Sequence, residues 1–476
     1  MFIERCVKVY LFKNSFRHAS QVLFMENQLN LFELNEPNLK KRQTPPAHLQ
    51  RKIKRPKREQ IEFKIESLDD ALEPDHQART IWNFIELLDF SRLYEKYYSL
   101  SNGLGRGIVD PKILVALWLY AICDGVISAR KIAKYCNENK AYAWICGGVS
   151  VGHHLLSGFR SDFSELFDEF VVQSISLLYD KGLIQIKSIA QDGTKLQASA
   201  RAMHRKNSLV RKAFDVRKHI KNLEKELQSG HFEKEQKKKK ERELIESRKK
   251  KDRLIQAAKE LQKHKEVLNE NRSKSRKAPL SNKDISKLRA SPTDPECRKM
   301  KMADKSCKPA YNVQIATDVD TDLVLKVRIC QNSNDGGELL PMYSSLRDQY
   351  GLEIDSYLVD SAFRNRDDFA ELFDSGCKIY CPTKKKKTAA LRKRILSGNY
   401  EKDTQADIDW VLRMEEAEAG ELYNRRIRAS ETINAFFTNH GIHQLLVRGT
   451  KKVKGFIDLA CLAYNMLTIK RLYNLI

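Results

Sequence analysis

The sequence predicts an α/β protein in which a mixed sheet follows an all-helical region and is interrupted by a helical hairpin. Apolar residues recur at helical spacing between residues 80 and 180, and from residue 184 they alternate with period two in short runs. Residues 209–268 carry a heptad seam. We therefore predict a basic, weakly structured segment at 1–70, a helical domain at 71–183, and a mixed-sheet domain at 184–476 with the hairpin inserted at about 205–290.

The composition favours a nucleic acid as partner. The 476 residues include 86 Lys and Arg against 62 Asp and Glu, which gives a net charge of +24. Cations placed against phosphates release condensed counterions, so an excess of this size favours a polyanion. The alternative is a solvated basic surface without a ligand.

The cysteines and apolar runs predict a soluble, cytoplasmic protein with no membrane partner. Ten cysteines are scattered along the chain, and even the close pair Cys377 and Cys381 lacks the spacing and partners of a zinc site. Reduced, mostly buried thiols are expected, which implies a reducing compartment. The longest apolar run, residues 113–123, is about half a membrane span and is followed by Asp124.

Two basic regions precede the sheet. Residues 40–58 combine cations with three prolines and predict a disordered arm, which either contacts DNA phosphates or is only solvated.

Pro111 predicts the first turn of a helix, where proline is favoured. On the next predicted helix, Arg130, Lys131 and Lys134 either enter a DNA groove or form the rim of an ordinary bundle.

The heptad seam predicts an antiparallel helical hairpin with its turn near Gly230. Lysine runs at 237–240 and 249–251 flank the seam. This basic outer face either binds DNA or keeps the hairpin soluble, and the residues leave both interpretations open. The seam positions are Leu209, Ala213, Val216, Ile220, Leu223, Leu227, Leu244, Leu254, Ala258, Leu261 and Leu268.

The strand signals place two carboxylates at strand ends. The alternating run at 184–190 predicts a strand that ends at Asp192, and residues 356–359 predict one that ends at Asp360. Further strands are predicted at 311–317, 323–329 and 378–381, and helices at 336–350, 367–372 and 423–437.

Three carboxylates are candidates for metal chemistry. Neighbouring strand ends are only about 5 Å apart, so Asp192 and Asp360 would repel each other unless a hard cation neutralised them. Glu431, on a predicted helix, could pack beside them. Two ions held in this way suit an in-line phosphoryl displacement. The alternative is that each aspartate only caps a turn.

Several motifs, taken together and in order, resemble the bacterial insertion-sequence transposases of the DDE class. They cover most of residues 80–470, and the family has an RNase H-like catalytic fold. The matching stretches are DPKILVALWLYAICDGVISARKI (110–132), AYAWICGG (141–148), HHLLSGFR (153–160), QDGTKLQASA (191–200), DPECRKMK (294–301), YNVQIATD (311–318), YLVDSAFRN (357–365), YNRRIRASE (423–431) and QLLVRGTKKVKGFIDLACLAYNM (444–466).

The resemblance implies a site and a set of partners. It implies that Asp192, Asp360 and Glu431 are the catalytic residues and hold Mg²⁺ or Mn²⁺, as two ions. Tyr423 and Arg426 would orient Glu431 and contact DNA near the cleavage point. The implied partner is double-stranded DNA, at transposon ends and at the target, bound by a homodimer that assembles on the DNA.

One departure from the family pattern changes the expected phosphate contacts. Members usually carry a Lys about two helical turns after the Glu, and Thr438 stands there in this chain. Phosphate contact is then expected from Lys451, Lys452 or Lys454.

Asp335 is a weaker candidate for assisting the site, with capping of the following helix as the favoured alternative.

The predicted function is therefore metal-dependent DNA cleavage and strand transfer at the ends of an insertion sequence. A catalytically silent DNA-binding protein derived from such an enzyme is the first alternative, and the missing Lys favours it. The second is a structural or interaction protein built on the hairpin, against which the basic charge and the three acid motifs argue.

Overall fold

A computed structural model describes residues 67–97, 108–230, 232–274, 278–383, 388–401 and 403–473. The basic arm predicted at 40–58 lies outside these described residues, as does most of the segment predicted at 1–70. The helices before the sheet are α1 (Gln77–Glu86), α2 (Ser91–Lys96), α3 (Pro111–Cys123), α4 (Ala129–Glu138), α5 (Lys140–Cys146), α6 (His153–Asp162) and α7 (Phe167–Asp180).

The helix α3 is the core of this helical region. It begins at Pro111, as the sequence predicts, and the Asp110 carboxylate caps it by accepting a hydrogen bond from the Lys112 backbone N–H at 2.8 Å. Its residues from Ile113 to Ile122 are all buried. On α4, Arg130, Lys131 and Lys134 are exposed.

The described strands form one mixed sheet. Its order is β2-β3-β1-β5-β6, and β4 also pairs with β3. Strand β3 runs antiparallel to β1, β2 and β4, whereas β5 runs parallel to both β1 and β6. The strands are β1 (Ser188–Gln197), β2 (Arg298–Lys301), β3 (Cys307–Asp318), β4 (Val324–Cys330), β5 (Ser356–Val359) and β6 (Lys378–Tyr380).

The first strand differs from its prediction. The sequence predicts a strand that starts at 184 and ends at Asp192, whereas β1 starts at Ser188 and continues to Gln197. The reason is the length of β3, which supplies ladder partners from Asp318 down to Ala310. Asp192 therefore lies in the middle of a strand, opposite Ile315, and not at its end.

The hairpin consists of α8 (Lys206–Ser229) and α9 (Lys234–Lys274). The two helices are antiparallel, because Lys240 Nζ bonds Glu226 near the turn and Lys206 Nζ bonds Gln262 near the base, at 2.7 and 2.9 Å. The predicted turn at Gly230 lies between them. The small core between them consists of Leu209, Leu254, Ala257 and Leu261, together with Ala290 from the segment before β2.

Helices cover the sheet and follow its strands. A short helix, α10, precedes β2, and α16 is the last described helix. Their bounds are α10 (Asn282–Ile285), α11 (Leu339–Tyr350), α12 (Arg366–Asp374), α13 (Ala389–Leu396), α14 (Gln405–Arg413), α15 (Ala417–Asn439) and α16 (Thr450–Tyr473).

The helix α16 joins the helical region to the sheet. The Phe456 ring meets the Trp118 ring of α3 at a centroid distance of 6.5 Å. Further along, the Asn465 side chain bonds both the N–H and the C=O of Val324 in β4, each at 2.8 Å. Helical region and sheet consequently share one continuous hydrophobic core, which extends from Ala78 to Ile469.

Two general features of the described part bear on the sequence predictions. None of its helices combines the length and the apolar character needed to cross a membrane. Its nine cysteines are all free thiols, and most of them are buried.

Candidate active site

The centre of the candidate site is Asp192, on the sheet face that α15 covers. Side chains alternate between the faces of a strand, so Asp192 shares its face with Thr194 and with its cross-strand partner Ile315. Together with α15, these residues enclose a small cavity. It is lined by Asp192, Thr194, Ile315, Thr317, Ser430, Ile433 and Asn434.

Asp360 lies beside Asp192 because of the parallel pairing of β5 with β1. In that register Val359 stands opposite Gln191, and the residue that follows each of them along the chain is an aspartate. Asp360 directly follows the last residue of β5, where the sequence predicts the strand to end. Its Oδ1 accepts hydrogen bonds from Ala362 N and Ser361 Oγ, both at 2.9 Å. The structure thus brings together two of the predicted catalytic carboxylates.

The guanidinium of Arg426 faces Asp192 from α15. Its Nη1 lies 3.6 Å from Asp192 Oδ1, and its carbon lies 5.3 Å from the centroid of the Tyr423 ring. Arg426 is only 9% exposed, yet within the described residues its Nε and Nη1 have no hydrogen-bond acceptor. Buried donors normally have a partner, so these two atoms are suited to an anionic ligand.

The electrostatics of Asp192 reflect its burial and its neighbours. Burial raises the pKa of the Asp192 carboxyl, and the nearby charges of Asp335 and Asp360 raise it further. The Arg426 charge and a backbone hydrogen bond from Gly193 act in the opposite direction, but the net shift is upward. A group of like charges close to a buried carboxylate is the environment in which a cation stabilises the ionised form.

Asp335 is held against the opposite face of β1. Its Oδ1 accepts hydrogen bonds from Gln314 Nε2 at 2.7 Å and from Asn312 Nδ2 at 2.9 Å. The alternative interpretation, helix capping, is not what the structure shows, because the N-cap of α11 is Glu338. A Cβ atom at Gly193 would lie 2.1 Å from this Oδ1, so the glycine makes room for the carboxylate.

A buried network of amides continues from Asp335 under the strand. Gln191 Nε2 donates to Gln314 Oε1 at 3.0 Å, and the Tyr357 hydroxyl donates to Gln191 Oε1 at 2.8 Å. The sequence analysis did not identify this network. Its signal was present, because Gln191, Asn312 and Gln314 are polar residues within otherwise apolar strands.

Glu431 lies apart from the two aspartates. It is exposed and lines a separate, open cavity with His440, which follows α15, and with Tyr464 and Arg471 of α16. Successive helical residues are rotated by about 100°, so when Arg426 and Ser430 face the sheet, Glu431 does not. Across the described ranges, no three His, Cys, Asp or Glu residues are grouped so that they could hold a metal ion.

The predicted phosphate-binding lysines have different surroundings. Lys451 pairs with Glu165 at 2.7 Å on the surface, and Lys452 is exposed. Lys454 instead bonds two partly or fully buried carboxylates, Asp168 at 3.1 Å and Asp458 at 2.8 Å. A DNA contact by Lys454 would therefore require breaking an interior ion-pair cluster.

Comparison with known families identifies two regions. Residues 66–162 match a family model described as Transposase domain (DUF772), and residues 273–466 match one described as Transposase DDE domain. No curated protein and no solved structure matches the chain. The second region contains Asp335, Asp360, Arg426 and Glu431, whereas Asp192 lies between the two regions. The chain therefore carries two transposase domains in succession, which is consistent with the insertion-sequence transposases of the DDE class.

Proposed function

We propose that the protein is a metal-dependent transposase that cleaves DNA at the ends of an insertion sequence and joins the freed strand to target DNA. The observation that carries the proposal is the placement of Asp192 and Asp360 at corresponding positions of two parallel strands. The net charge of +24 and the match to transposase models support DNA as the substrate.

The sheet supports an RNase H-like fold for this domain. Three antiparallel strands, β1, β3 and β4, are followed along the chain by β5 and β6, which extend the sheet in parallel with helices between them. Asp192 lies on the central strand and Asp360 on its neighbour, which suits a fold that carries its chemistry at the sheet centre.

The donor set at Asp192 and Asp360 fits a hard divalent cation. Both residues offer carboxylate oxygens, which Mg²⁺ and Mn²⁺ prefer. The pKa of Asp192 is raised mainly by burial and to a smaller extent by the charges of Asp335 and Asp360. When bound, a pair of such ions supplies Lewis-acid activation of the attacking oxygen and charge stabilisation of the leaving oxygen. Glu431 would join this set only if α15 rotated by about 100°.

The residues around the carboxylates suit the binding of a DNA phosphate. Arg426 presents two buried donors without acceptors within the described residues, next to Asp192. Its contact with the Tyr423 ring fixes the plane of the guanidinium. In the proposed complex, Arg426 binds a non-bridging oxygen of the scissile phosphate, and Lys451 and Lys452 bind phosphates further along.

The pairing of two transposon ends requires at least a dimer on DNA, and we propose that the hairpin of α8 and α9 provides a contact between copies.

The test of the catalytic proposal uses the full chain, Mg²⁺, and duplexes taken from both genomic flanks of the gene. The variant Asp192→Asn is expected to lose nicking by a large factor and to retain binding to the ends. The matched control is Asp348→Asn, an exposed position on α11 that should cleave normally. Undiminished cleavage by Asp192→Asn would refute the proposal.

The orientation of Glu431 favours a second candidate, a DNA-binding protein without cleavage activity. On α15, the positions that face Asp192 are Ser430 and Asn434, which are not acidic. The same assay separates the candidates, because a silent protein binds the flank duplexes and leaves them intact with either Mg²⁺ or Mn²⁺.

A further inference from the structure

The hairpin carries half of the net charge of the chain. Its two helices contain 23 Lys and Arg against 11 Asp and Glu, which is a net charge of +12 out of +24. The sequence leaves open whether this charge binds DNA or only keeps the hairpin soluble. A surface that serves solubility usually mixes both signs of charge, whereas a surface that binds a polyanion collects cations. The arrangement of the charges on the two helices therefore distinguishes the alternatives.

One face of α8 collects cations and exposed apolar side chains. Residues 210, 214, 217 and 221 each directly follow a position of the seam that faces α9, so they lie about 100° around the helix from that seam. Together with residue 225 they form one stripe, because the five positions are spaced by three or four residues. This α8 stripe consists of Val210, Phe214, Arg217, Lys221 and Lys225, and all five side chains are exposed.

The cations of the α8 stripe have no acidic partner. Within the described residues, none of the three forms an ion pair. The two glutamates nearest the end of the stripe are already bonded to α9, since Glu224 pairs with Arg248 and Glu226 pairs with Lys240, both at 2.7 Å. The positive charge of the stripe is therefore available to an anionic partner.

The apolar end of the stripe is exposed to an unusual degree. Phe214 is 67% exposed, more than any other large hydrophobic residue that the structure describes, and Val210 is 53% exposed. Single exposed apolar residues are common on protein surfaces. Here, however, two of them are neighbours on a helix face that continues as three unpaired cations. This combination indicates a partner that offers both negative charge and apolar surface.

A DNA duplex fits this combination better than a membrane or a second copy of the chain. A helix that lies on a membrane presents a broad apolar face, whereas the apolar seam of α8 packs against α9. A second copy placed against the stripe would bring like charges together, which costs free energy. The contact between copies proposed above is therefore left to the other faces of the hairpin.

The dimensions of the stripe match the major groove. That groove is about 12 Å wide, admits an α-helix, and presents apolar thymine methyl groups between two rows of phosphates. A helix advances about 1.5 Å per residue, so the stripe from Val210 to Lys225 is about 22 Å long. This length corresponds to about six base pairs at 3.4 Å each.

We propose that the α8 stripe binds duplex DNA in the major groove, with its three cations on phosphates and Phe214 on the edges of the bases. The inference rests on the proposed function, because it takes DNA as the partner of the chain. It assigns to the hairpin a DNA contact that lies outside the carboxylate site.

The first test measures the affinity of the full chain for duplexes from both flanks of the gene. Fluorescence anisotropy is recorded between about 50 and 200 mM NaCl, where each phosphate contact contributes about 0.9 to the slope of log K against log salt. The triple variant Arg217→Gln, Lys221→Gln, Lys225→Gln is expected to reduce this slope by about 2–3 and to weaken binding by about 10–100-fold. All three positions are exposed, so the fold should be retained.

The matched control removes three other cations of the same hairpin, each of which is already paired. Lys240, Lys249 and Lys263 bond Glu226, Glu246 and Glu260 respectively. Their joint change to Gln lowers the net charge by the same amount and is expected to change the slope by less than about one. An equal reduction in both triple variants would overturn the proposal, because binding would then depend on total charge alone.

The variant Phe214→Ala tests the apolar contact. It is expected to weaken binding by about 5–10-fold, because apolar surface is no longer buried against the bases. The salt slope should stay unchanged, because no charge is removed. Ile245→Ala, at an exposed position of α9, is the control and should bind like the unmodified chain. Unchanged affinity of Phe214→Ala would overturn the proposed position of α8 in the groove.

The outcomes separate this proposal from the proposed function. If the unmodified chain binds the duplexes without cleaving them, the cleavage proposal fails, and a reduced slope of the stripe variant still supports the stripe. If the chain cleaves DNA and the stripe variant keeps the unmodified slope, only the stripe proposal is overturned. If the unmodified chain binds neither duplex, both are overturned.

Vesicles of phosphatidylserine test the alternative partner. The unmodified chain and the stripe variant are expected to differ on DNA and to behave alike with the vesicles. If the stripe variant instead loses binding to the vesicles and keeps the salt slope on DNA, the stripe is a lipid contact and the proposal is overturned.

Discussion

The centre of the sheet and the hairpin of α8 and α9 differ in how much of their surface is buried. In β3, every residue from Ala310 to Asp318 is buried, and its polar side chains Asn312, Gln314 and Thr317 are hydrogen-bonded. The hairpin is far longer, yet its helices bury only a narrow seam, and most of its surface is charged and exposed.

This difference in burial indicates which part of the molecule is rigid. Local opening costs least where few apolar contacts must be broken, so the hairpin is expected to open without the sheet. The carboxylates sit on the region that opens last, which keeps their spacing fixed. The hairpin is expected to change its conformation more readily than the sheet.

The largest effect is expected from removal of a seam residue. Leu261→Ala should lower the free energy of opening the hairpin by about 2–5 kcal/mol, because it leaves a cavity among Leu209, Leu254 and Ala257. Amide hydrogen exchange, resolved by peptide, should show faster exchange in α8 and α9 and unchanged exchange in β1 and β3. The control is Ile245→Ala, at a position that is 51% exposed. If β1 and β3 lost as much protection from hydrogen exchange as α8 and α9, the hairpin would not open independently of the sheet.

An intermediate effect is expected at the sheet centre. Gly193→Ala places a Cβ where Asp335 Oδ1 and Gln314 Nε2 now lie, at 2.1 and 2.5 Å, and so must displace both side chains. We expect a loss of about 1–3 kcal/mol in the free energy of global unfolding, measured by denaturant titration.

Gly336→Ala is the matched control for that substitution. Its added Cβ would meet the Ala362 carbonyl oxygen at an ordinary contact distance of 3.7 Å. Stability within experimental error is expected for this control, and an equal loss in both variants would show that the Asp335 contact is not the cause.

The smallest effect is a pH dependence at the base of the hairpin. Burial, together with the charge of Arg298 in β2, lowers the pKa of His264 from 6.5 to about 4. The unfolded chain takes up this proton near pH 6.5 and the folded chain only near pH 4, so the stability from His264 is present above pH 6.5 and is lost as the pH falls towards 4.

The variant His264→Gln should therefore flatten the decline in hairpin stability between pH 6.5 and 4. The measurement is hydrogen exchange in α9 over that range. His219→Gln, on the exposed side of α8, should decline like the unmodified chain. An unchanged slope for His264→Gln would show that this side chain does not couple the hairpin base to pH.

The local parts of the site were predictable from the sequence. The strand before Asp360 is a short, wholly buried run between turn signals, so its end could be located to the residue. The end of β1 could not be located from the sequence. The strand continues past Asp192 because β3 supplies hydrogen-bonding partners there, and this pairing joins residues that are far apart in the chain.

The orientation of α15 was the harder part. Periodicity correctly predicts a helix around Glu431, but one residue of offset turns a side chain by about 100°. The stripe of Ala429, Ile433, Phe436 and Phe437, all buried, gives the face that packs inward, and Glu431 lies off that stripe. The sequence offered Asp335 as a weaker candidate, but its contacts could not be predicted, since its neighbours Asn312 and Gln314 come from a strand whose register the sequence does not specify.

The helix α16 is synthesised after the elements that it packs against. Its residues follow all the elements that they bind, and Gly455 packs so closely that a Cβ there would lie 2.4 Å from that of Ser164. While the ribosome has not yet released residues 450–473, the helical region and the sheet both expose the apolar surface that this helix covers. We therefore expect a chain truncated before residue 450 to leave that apolar surface exposed and to be prone to aggregation.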